Sequence, residues 1–280
     1  MLIGVIGLGL IGGSMAKAIN QNTDHSVYGY DIQAPITHKA VLVGATEGIL
    51  TEEMIPECDL IILGLYPRET VRFVKEHADV IKKGAVVMDT CGIKGYVCSE
   101  LFPVAREKGF TFIGGHPMAG VEHAGFEYSK RALFNGASMI LVPMTGEPIE
   151  VVDRISHLMK DAGFAQTPVL SPEDHDRIIA YTSQLAHVVS SAYVKSPTAS
   201  EHEGFSAGSY RDMTRVAKLN EIMWAELFME NPDALAEEID GLVERLQDYS
   251  RVLKERDEEK MTELLREGRE RKLMIDKEIF

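Results

Sequence analysis

The run Gly7-Leu8-Gly9-Leu10-Ile11-Gly12, entered from an apolar stretch at 2–6 and left through a helical stretch at 13–19, constrains this chain more than any other feature. A strand that ends in such a run must turn sharply and start a helix. Gly7 permits the turn, Gly9 removes a side chain where a pyrophosphate has to approach, and Gly12 lets helix and strand pack closely. The helix start then offers unpaired backbone N–H groups, at Leu10 and Ile11 among others, and the positive end of its dipole to phosphate. A second strand at 26–30 ends at Asp31, nineteen residues after Gly12. A carboxylate there accepts hydrogen bonds from a ribose 2′-hydroxyl and repels a 2′-phosphate, and Ile32, Gln33 and Ala34 bring no arginine to reverse that preference. The first thirty-one residues therefore predict a dinucleotide site, with NAD as cofactor.

Residues 1–169 alternate short β-branched runs with helical stretches, the pattern of a largely parallel sheet flanked by helices. Candidate strands lie at 2–6, 26–30, 60–63, 85–89, 111–114 and 138–143. Several lead into residues able to do chemistry: Asp31 follows one, Asp89 closes another and His116 stands just past a third. Ligands of open α/β sheets bind at those carboxyl ends. From Ser171 the character changes. Ser171-Pro172-Glu173-Asp174 is a helix start, with a capping residue, proline in the first turn and early acids against the dipole. Beyond it the periodicity is helical, and Ile239, Leu242, Val243, Leu246, Tyr249 and Leu253 recur on one face. The reading is an α/β fold: a Rossmann-type dinucleotide-binding domain over 1–169 followed by an all-helical domain over 170–280. The apolar helical face serves packing, an oligomer contact, or both.

A net charge of −14 argues against a nucleic-acid partner and requires local positive groups wherever an anionic substrate binds. No stretch approaches the roughly 18 apolar residues of a membrane span. The apolar amino terminus runs straight into glycines, without the basic region or cleavage site of a signal peptide. Three irregularly spaced cysteines predict reduced thiols and a cytoplasmic protein. His25, His38, His77, His123, His157 and His202 lack a ligand spacing, and no metal is expected.

The segment Gly114-Gly115-His116-Pro117-Met118-Ala119-Gly120 offers a histidine between two glycines and a proline, on the side where a nicotinamide should lie. When an alcohol carbon gives up hydride its hydroxyl proton must leave too, and a group titrating near neutrality is the natural acceptor. His116 is the candidate catalytic base. His175-Asp176 is read as a structural ion pair or capping arrangement. Lys94 is open between holding a carboxylate and shaping a loop.

These segments, with Asp89-Thr90-Cys91-Gly92-Ile93-Lys94, Leu133-Phe134-Asn135, Arg211-Asp212-Met213-Thr214-Arg215 and Met223-Trp224, resemble in order the motifs of the prephenate and arogenate dehydrogenases of tyrosine biosynthesis. The resemblance implies NAD-dependent oxidative decarboxylation of a cyclohexadienol, with prephenate favoured over arogenate. It implies that His116 is the base, that Arg215 binds a substrate carboxylate, and that His187 lines the pocket from the first helix of the second domain. It further implies an acid, Glu122, near the pocket entrance. Trp224 would reach the neighbouring subunit's active site, which makes the helical domain a dimerisation domain and the protein a homodimer. Two positions depart from the pattern. Gly92 stands where the family usually carries a serine that orients substrate and cofactor, leaving Thr90, Cys91 or water to substitute. Gln184 stands where the family has a histidine, so substrate discrimination is expected to differ. The alternatives are a two-domain hydroxy-acid dehydrogenase, which would want a lysine base, and an NAD-sensing regulator, which would want a docking or DNA-binding module; neither feature is found.

Overall fold

Runs such as Leu60-Ile61-Ile62-Leu63, in which every residue is buried, form strands covered on both faces, as parallel sheets require. The structure, a computed structural model, describes residues 1–121 and 123–278. Its first strands and helices alternate: β1 (Leu2–Ile6), α1 (Leu10–Asn22), β2 (Ser26–Tyr30), α2 (Ala34–Leu42), β3 (Gly48–Ile49), β4 (Leu60–Leu63) and α3 (Pro67–His77). There follow β5 (Val86–Asp89), α4 (Gly95–Lys108), β6 (Thr111–Pro117), β7 (Met139–Pro143) and α5 (Ile149–Asp161). The seven strands stand in the order β3-β2-β1-β4-β5-β6-β7. All neighbours are parallel except β6 and β7.

The chain reverses its direction of travel across the sheet beside β1, where β2 lies on one side and β4 on the other, and a crevice opens there at the strands' carboxyl ends. Alternate residues feed two cores. Ile3, Val5, Leu60, Ile62 and Met88 pack with Met15 and Ile19 of α1 and Leu158 of α5. Ile61, Leu63 and Val87 pack with Val71 and Val74 of α3 and Val97 and Leu101 of α4.

The six expected strands are present, within a residue at most ends, and the sheet gains the two-residue edge strand β3. One expectation needs correction. The strand expected at 111–114 continues to Pro117, so His116 lies inside β6 rather than on a turn beyond it. The antiparallel partner β7 is the reason: its register pairs Gly114 with Val142, His116 with Ile140 and Pro117 with Met139.

After β7 and α5 the chain is helical: α6 (Pro172–Ile179), a π-helical turn (Ala180–Gln184), α7 (Leu185–Tyr193), α8 (Gly208–Thr214), α9 (Glu221–Met229), α10 (Pro232–Glu255) and α11 (Glu258–Glu278). Ser171 caps α6 as expected, its hydroxyl accepting from the Asp174 N–H at 3.1 Å. The chain divides into two compact units, Met1–Pro232 and Asp233–Phe280, so the change from sheet to helix near residue 170 falls within the first unit. In the second, Arg256 takes φ 56° between α10 and α11, and Asp257 caps α11 by accepting from the Lys260 N–H at 2.9 Å. Among the described residues no helix is long and apolar enough to cross a membrane.

Candidate active site

At the crevice, Gly7 has φ +82°, and its N–H bonds the Tyr30 carbonyl at 2.8 Å. A Cβ on Gly12 would stand 1.9 Å from the Gly7 oxygen, so only glycine lets α1 start this close to β1. A Cβ on Gly9 would meet nothing within 4 Å and would project into open space. That is the cradle a pyrophosphate needs: Gly9 precedes α1 without a side-chain cap, and the N–H groups of Leu10 and Ile11 begin the helix there. Asp31 stands at the same opening. One of its carboxylate oxygens accepts from the Leu8 N–H and the other from the Gln33 N–H, each at 2.9 Å. Each oxygen keeps a second lone pair for a ribose hydroxyl. These residues fit a dinucleotide.

His116 stands farther along the same cleft. The backbone beneath it is held from β5: Asp89 accepts from the Gly115 N–H at 2.9 Å, and a Cβ on Gly115 would lie 2.3 Å from the Asp89 carbonyl oxygen. Asp89 also accepts from the Cys91 N–H and pairs with the Lys94 ammonium, and neither side chain of that ion pair is exposed. Burial opposes the charge on Lys94, but the Asp89 carboxylate beside it holds the ammonium above its ordinary range. Lys94, in the loop just before α4, holds a carboxylate of the protein itself: it is the buried counter-ion of Asp89.

The His116 ring is half-buried, and its Nδ1 lies 2.8 Å from Nε2 of His175. His175 is fully buried, and its Nδ1 lies 2.7 Å from an Asp176 carboxylate oxygen. Burial, then the neighbouring His175 and Lys94, push the His116 pKa well below its ordinary value, so the ring is neutral at neutral pH. A Cβ on Gly92 would stand 3.9 Å from His116 Nε2 and 3.6 Å from Leu227, so a serine Cβ would fit there in ordinary contact with both. Of the expected substitutes, Thr90 and Cys91 are engaged elsewhere. The Thr90 hydroxyl donates to the Leu63 carbonyl at 3.0 Å, and Cys91 is buried, with its thiol against Leu65 and Thr70.

The helical wall of the cleft comes from α6 to α9. The π-helical turn just before α7 is the kind of irregularity that collects at functional sites. His187 therefore stands after an interruption of the expected helix, with Nδ1 on the Ser183 carbonyl at 2.9 Å. Burial lowers its pKa, the Ser183 bond opposing this and the Arg215 charge adding to it. Trp224 stacks on His187 within the same chain, ring centroids 3.7 Å apart. Within this chain α9, capped by Asn220 through the Met223 N–H, places Trp224 on the chain's own cleft. Gln184, where the family has a histidine, also lines the cleft. It donates to the Leu227 carbonyl at 3.0 Å and accepts from Asn231 at 2.8 Å, so its amide ties α9 to the helix below.

One cleft of about 1750 Å³ contains Gly7, Gly9, Leu10, Ile11 and Asp31 at one end and His116, His187, Arg215 and Trp224 at the other. That exceeds the roughly 300–1,000 Å³ of a single-ligand pocket and suits two ligands end to end. Gly12 lies just beneath it, against Gly7. Glu122 lies outside the described residues. His175 and Asp176 were read as structural; their adjacency at a helix start hinted at a pair, but nothing local pointed to His116.

Residues 15–166 match the sequence model of a family described as prephenate dehydrogenase, nucleotide-binding domain, and residues 171–267 match that of prephenate dehydrogenase, dimerization domain. The chain is 28% identical over 264 residues to a prephenate dehydrogenase of Bacillus subtilis, covering 91% of this chain and 71% of that one. It is 27% identical over 282 residues to a cyclohexadienyl dehydrogenase of Zymomonas mobilis, covering 98% and 95%. Its fold superposes with a TM-score of 0.85 on an Aquifex aeolicus prephenate dehydrogenase solved with hydroxyphenyl propionate and NAD+, at 27% identity and 98% coverage of both chains.

Proposed function

The chain belongs to the prephenate dehydrogenase family, and from that premise we propose that its cleft oxidises prephenate with NAD, releasing carbon dioxide and 4-hydroxyphenylpyruvate. The observation that carries the reading is the continuity of the cleft from the glycine turn and Asp31 to His116, His187, Arg215 and Trp224.

NAD, when bound, accepts the hydride from the hydroxyl-bearing ring carbon. The hydroxyl proton passes to Nε2 of His116, whose other ring nitrogen is engaged by His175. As the carboxylate departs, its C–C electron pair moves through the ring onto that oxygen, which can take the same proton back; the ring becomes aromatic. Aromatisation drives the reaction, so the protein's task is to orient the substrate and hold one proton. Arg215 binds a substrate carboxylate and supplies the local positive charge that a chain of net charge −14 needs there. The stacked rings of His187 and Trp224 form an apolar wall for the cyclohexadiene.

A direct assay of prephenate and arogenate, each with NAD and NADP, tests this. Prephenate with NAD should give the highest kcat/KM, with either replacement costing at least about tenfold, or about 1.4 kcal/mol. A preference for NADP would remove Asp31 from its role; a preference for arogenate would change the substrate. Arg215→Ala should weaken prephenate binding far more than NAD binding; Arg215 is exposed in the ligand-free cleft, and truncating its contact costs about 2–5 kcal/mol where the bound substrate buries the charge. Equal losses for both ligands would indicate a folding defect instead.

The functional division lies at 1–169 and 170–280, a reading supported by the two family matches abutting between residues 166 and 171. The second part forms a homodimer, in keeping with its match to a dimerization domain and with Val243, Leu246 and Leu253, which are 44%, 56% and 66% exposed on α10. A cytoplasmic location goes with three buried, unpaired cysteines.

A further inference from the structure

We propose that His175 and Asp176 are positioning residues that hold His116 as the tautomer protonated on Nδ1, which leaves Nε2 bare to accept the substrate proton. The proposal rests on the reading of His116 as the base.

One Asp176 oxygen lies 2.7 Å from both the Lys94 N–H and His175 Nδ1, and the other accepts from the Gly95 N–H at 2.7 Å. These backbone donors belong to the start of α4, which has no side-chain cap of its own. Asp176 therefore caps α4 from α6 and is fixed by three donors. A Cβ on Gly95 would stand 2.8 Å from the carboxylate, so glycine is what admits it. An acceptor-only carboxylate requires the proton of His175 to be on Nδ1. Burial keeps His175 neutral, against the opposing pull of Asp176, so its Nε2 carries a lone pair. Among the described residues the partner at that nitrogen, 2.8 Å away, is Nδ1 of His116, which must then be the donor. His116 is left with its proton on Nδ1 and a lone pair on Nε2, the nitrogen that faces Gly92 in the cleft.

The assignment matters because a histidine in water favours the opposite tautomer, in which Nε2 is protonated and useless as a base. Gly92 carries no hydroxyl that could fix the ring from the cleft side. The charged groups around the two rings are Asp176 on α6, Asp89 on β5 and Lys94 before α4. Lys94 disfavours a second proton on either ring, and Asp176, reached through His175, stabilises the positive charge once His116 accepts one.

Nitrogen-15 NMR of histidine-labelled, ligand-free protein reads the tautomer directly. His116 should be protonated on Nδ1 in the parent and on Nε2 in His175→Leu, with Nδ1 protonation restored in His175→Gln, whose amide oxygen can accept in place of the ring nitrogen. His175→Leu should lower kcat about 10²-fold with KM for NAD and prephenate within about threefold, and His175→Gln should recover most of that loss. An Nε2-protonated His116 in the parent overturns the proposal, and this measurement stands even if the leucine variant does not fold. So does a folded His175→Leu with kcat within threefold of the parent, or a stable His175→Gln as slow as the leucine variant. Full activity in a protein lacking His116 would instead defeat the proposed function, and would leave the tautomer measurement unchanged.

Discussion

Replacing His116 with asparagine should lower kcat by about 10³-fold while leaving the Kd for NAD within about threefold, since positioned general bases contribute 10²–10⁴ to rate. Asparagine is the informative choice. Its side-chain amide can still donate toward His175 Nε2, now 2.8 Å from the His116 ring, so the buried bond survives while the proton acceptor is lost. Stopped-flow or steady-state NADH production from prephenate measures the rate, and quenching of protein fluorescence by NAD measures the binding. A kcat within a few-fold of the parent sinks the mechanism. The same geometry sets a pH signature. Burial depresses His116 below its ordinary 6.5, so the acid limb of kcat/KM should fall below that value, not at it. Stability follows the same sign. His116, His175 and His187 all have lowered pKa values, so the unfolded chain binds protons first. Their contribution is intact above about pH 6.5 and erodes as pH falls from there toward the folded-state values.

Lys94→Met should cost about 3–5 kcal/mol of stability, because it leaves Asp89 charged and fully buried without its counter-ion. For a chain of this size that corresponds to a fall in Tm of about 10 °C, readable by circular dichroism or calorimetry. Methionine keeps most of the volume, so the loss reports charge and not a cavity. Asp89 would retain the Gly115 and Cys91 N–H bonds, which is why the protein should still fold. Losing the Lys94 charge should also let the His116 pKa rise, moving the acid limb of kcat/KM upward toward 6.5. An unchanged Tm together with an unchanged acid limb would show that the pair is dispensable. Lys39→Ala, which breaks an exposed pair with Glu127, should leave both measurements alone.

Both predictions concern one block of buried polar residues, and its parts differed in how visible they were beforehand. The strand ends at Asp31 and Asp89 and the cap at Ser171 could be read from a few adjacent residues, because each depends on short-range steric or hydrogen-bonding demands. His116 was visible as a candidate from its glycine and proline neighbours, but its place within β6 was not. That depended on β7, whose Ile140 sits opposite it after a connection of more than twenty residues. Lys94 could not be assigned from sequence, since a lysine five residues after an aspartate is ordinary until both prove to be fully buried. The stacking of Trp224 on His187 and the bonds of Gln184 to Leu227 and Asn231 depend on how α9 folds back, and no local pattern encodes that.

The sequence by itself determined the cofactor half of this protein. The turn at Gly7, the open approach at Gly9, the tight contact at Gly12 and the carboxylate of Asp31 are constraints within one strand-turn-helix-strand unit, where chain connectivity leaves little freedom. The tertiary structure alone decided how the chemical half is built. His116 and His175 are fifty-nine residues apart, and Asp176 caps a helix more than eighty residues before it. Such contacts exist only once α6 has packed against α4, because burial is what leaves these polar groups no partners except one another.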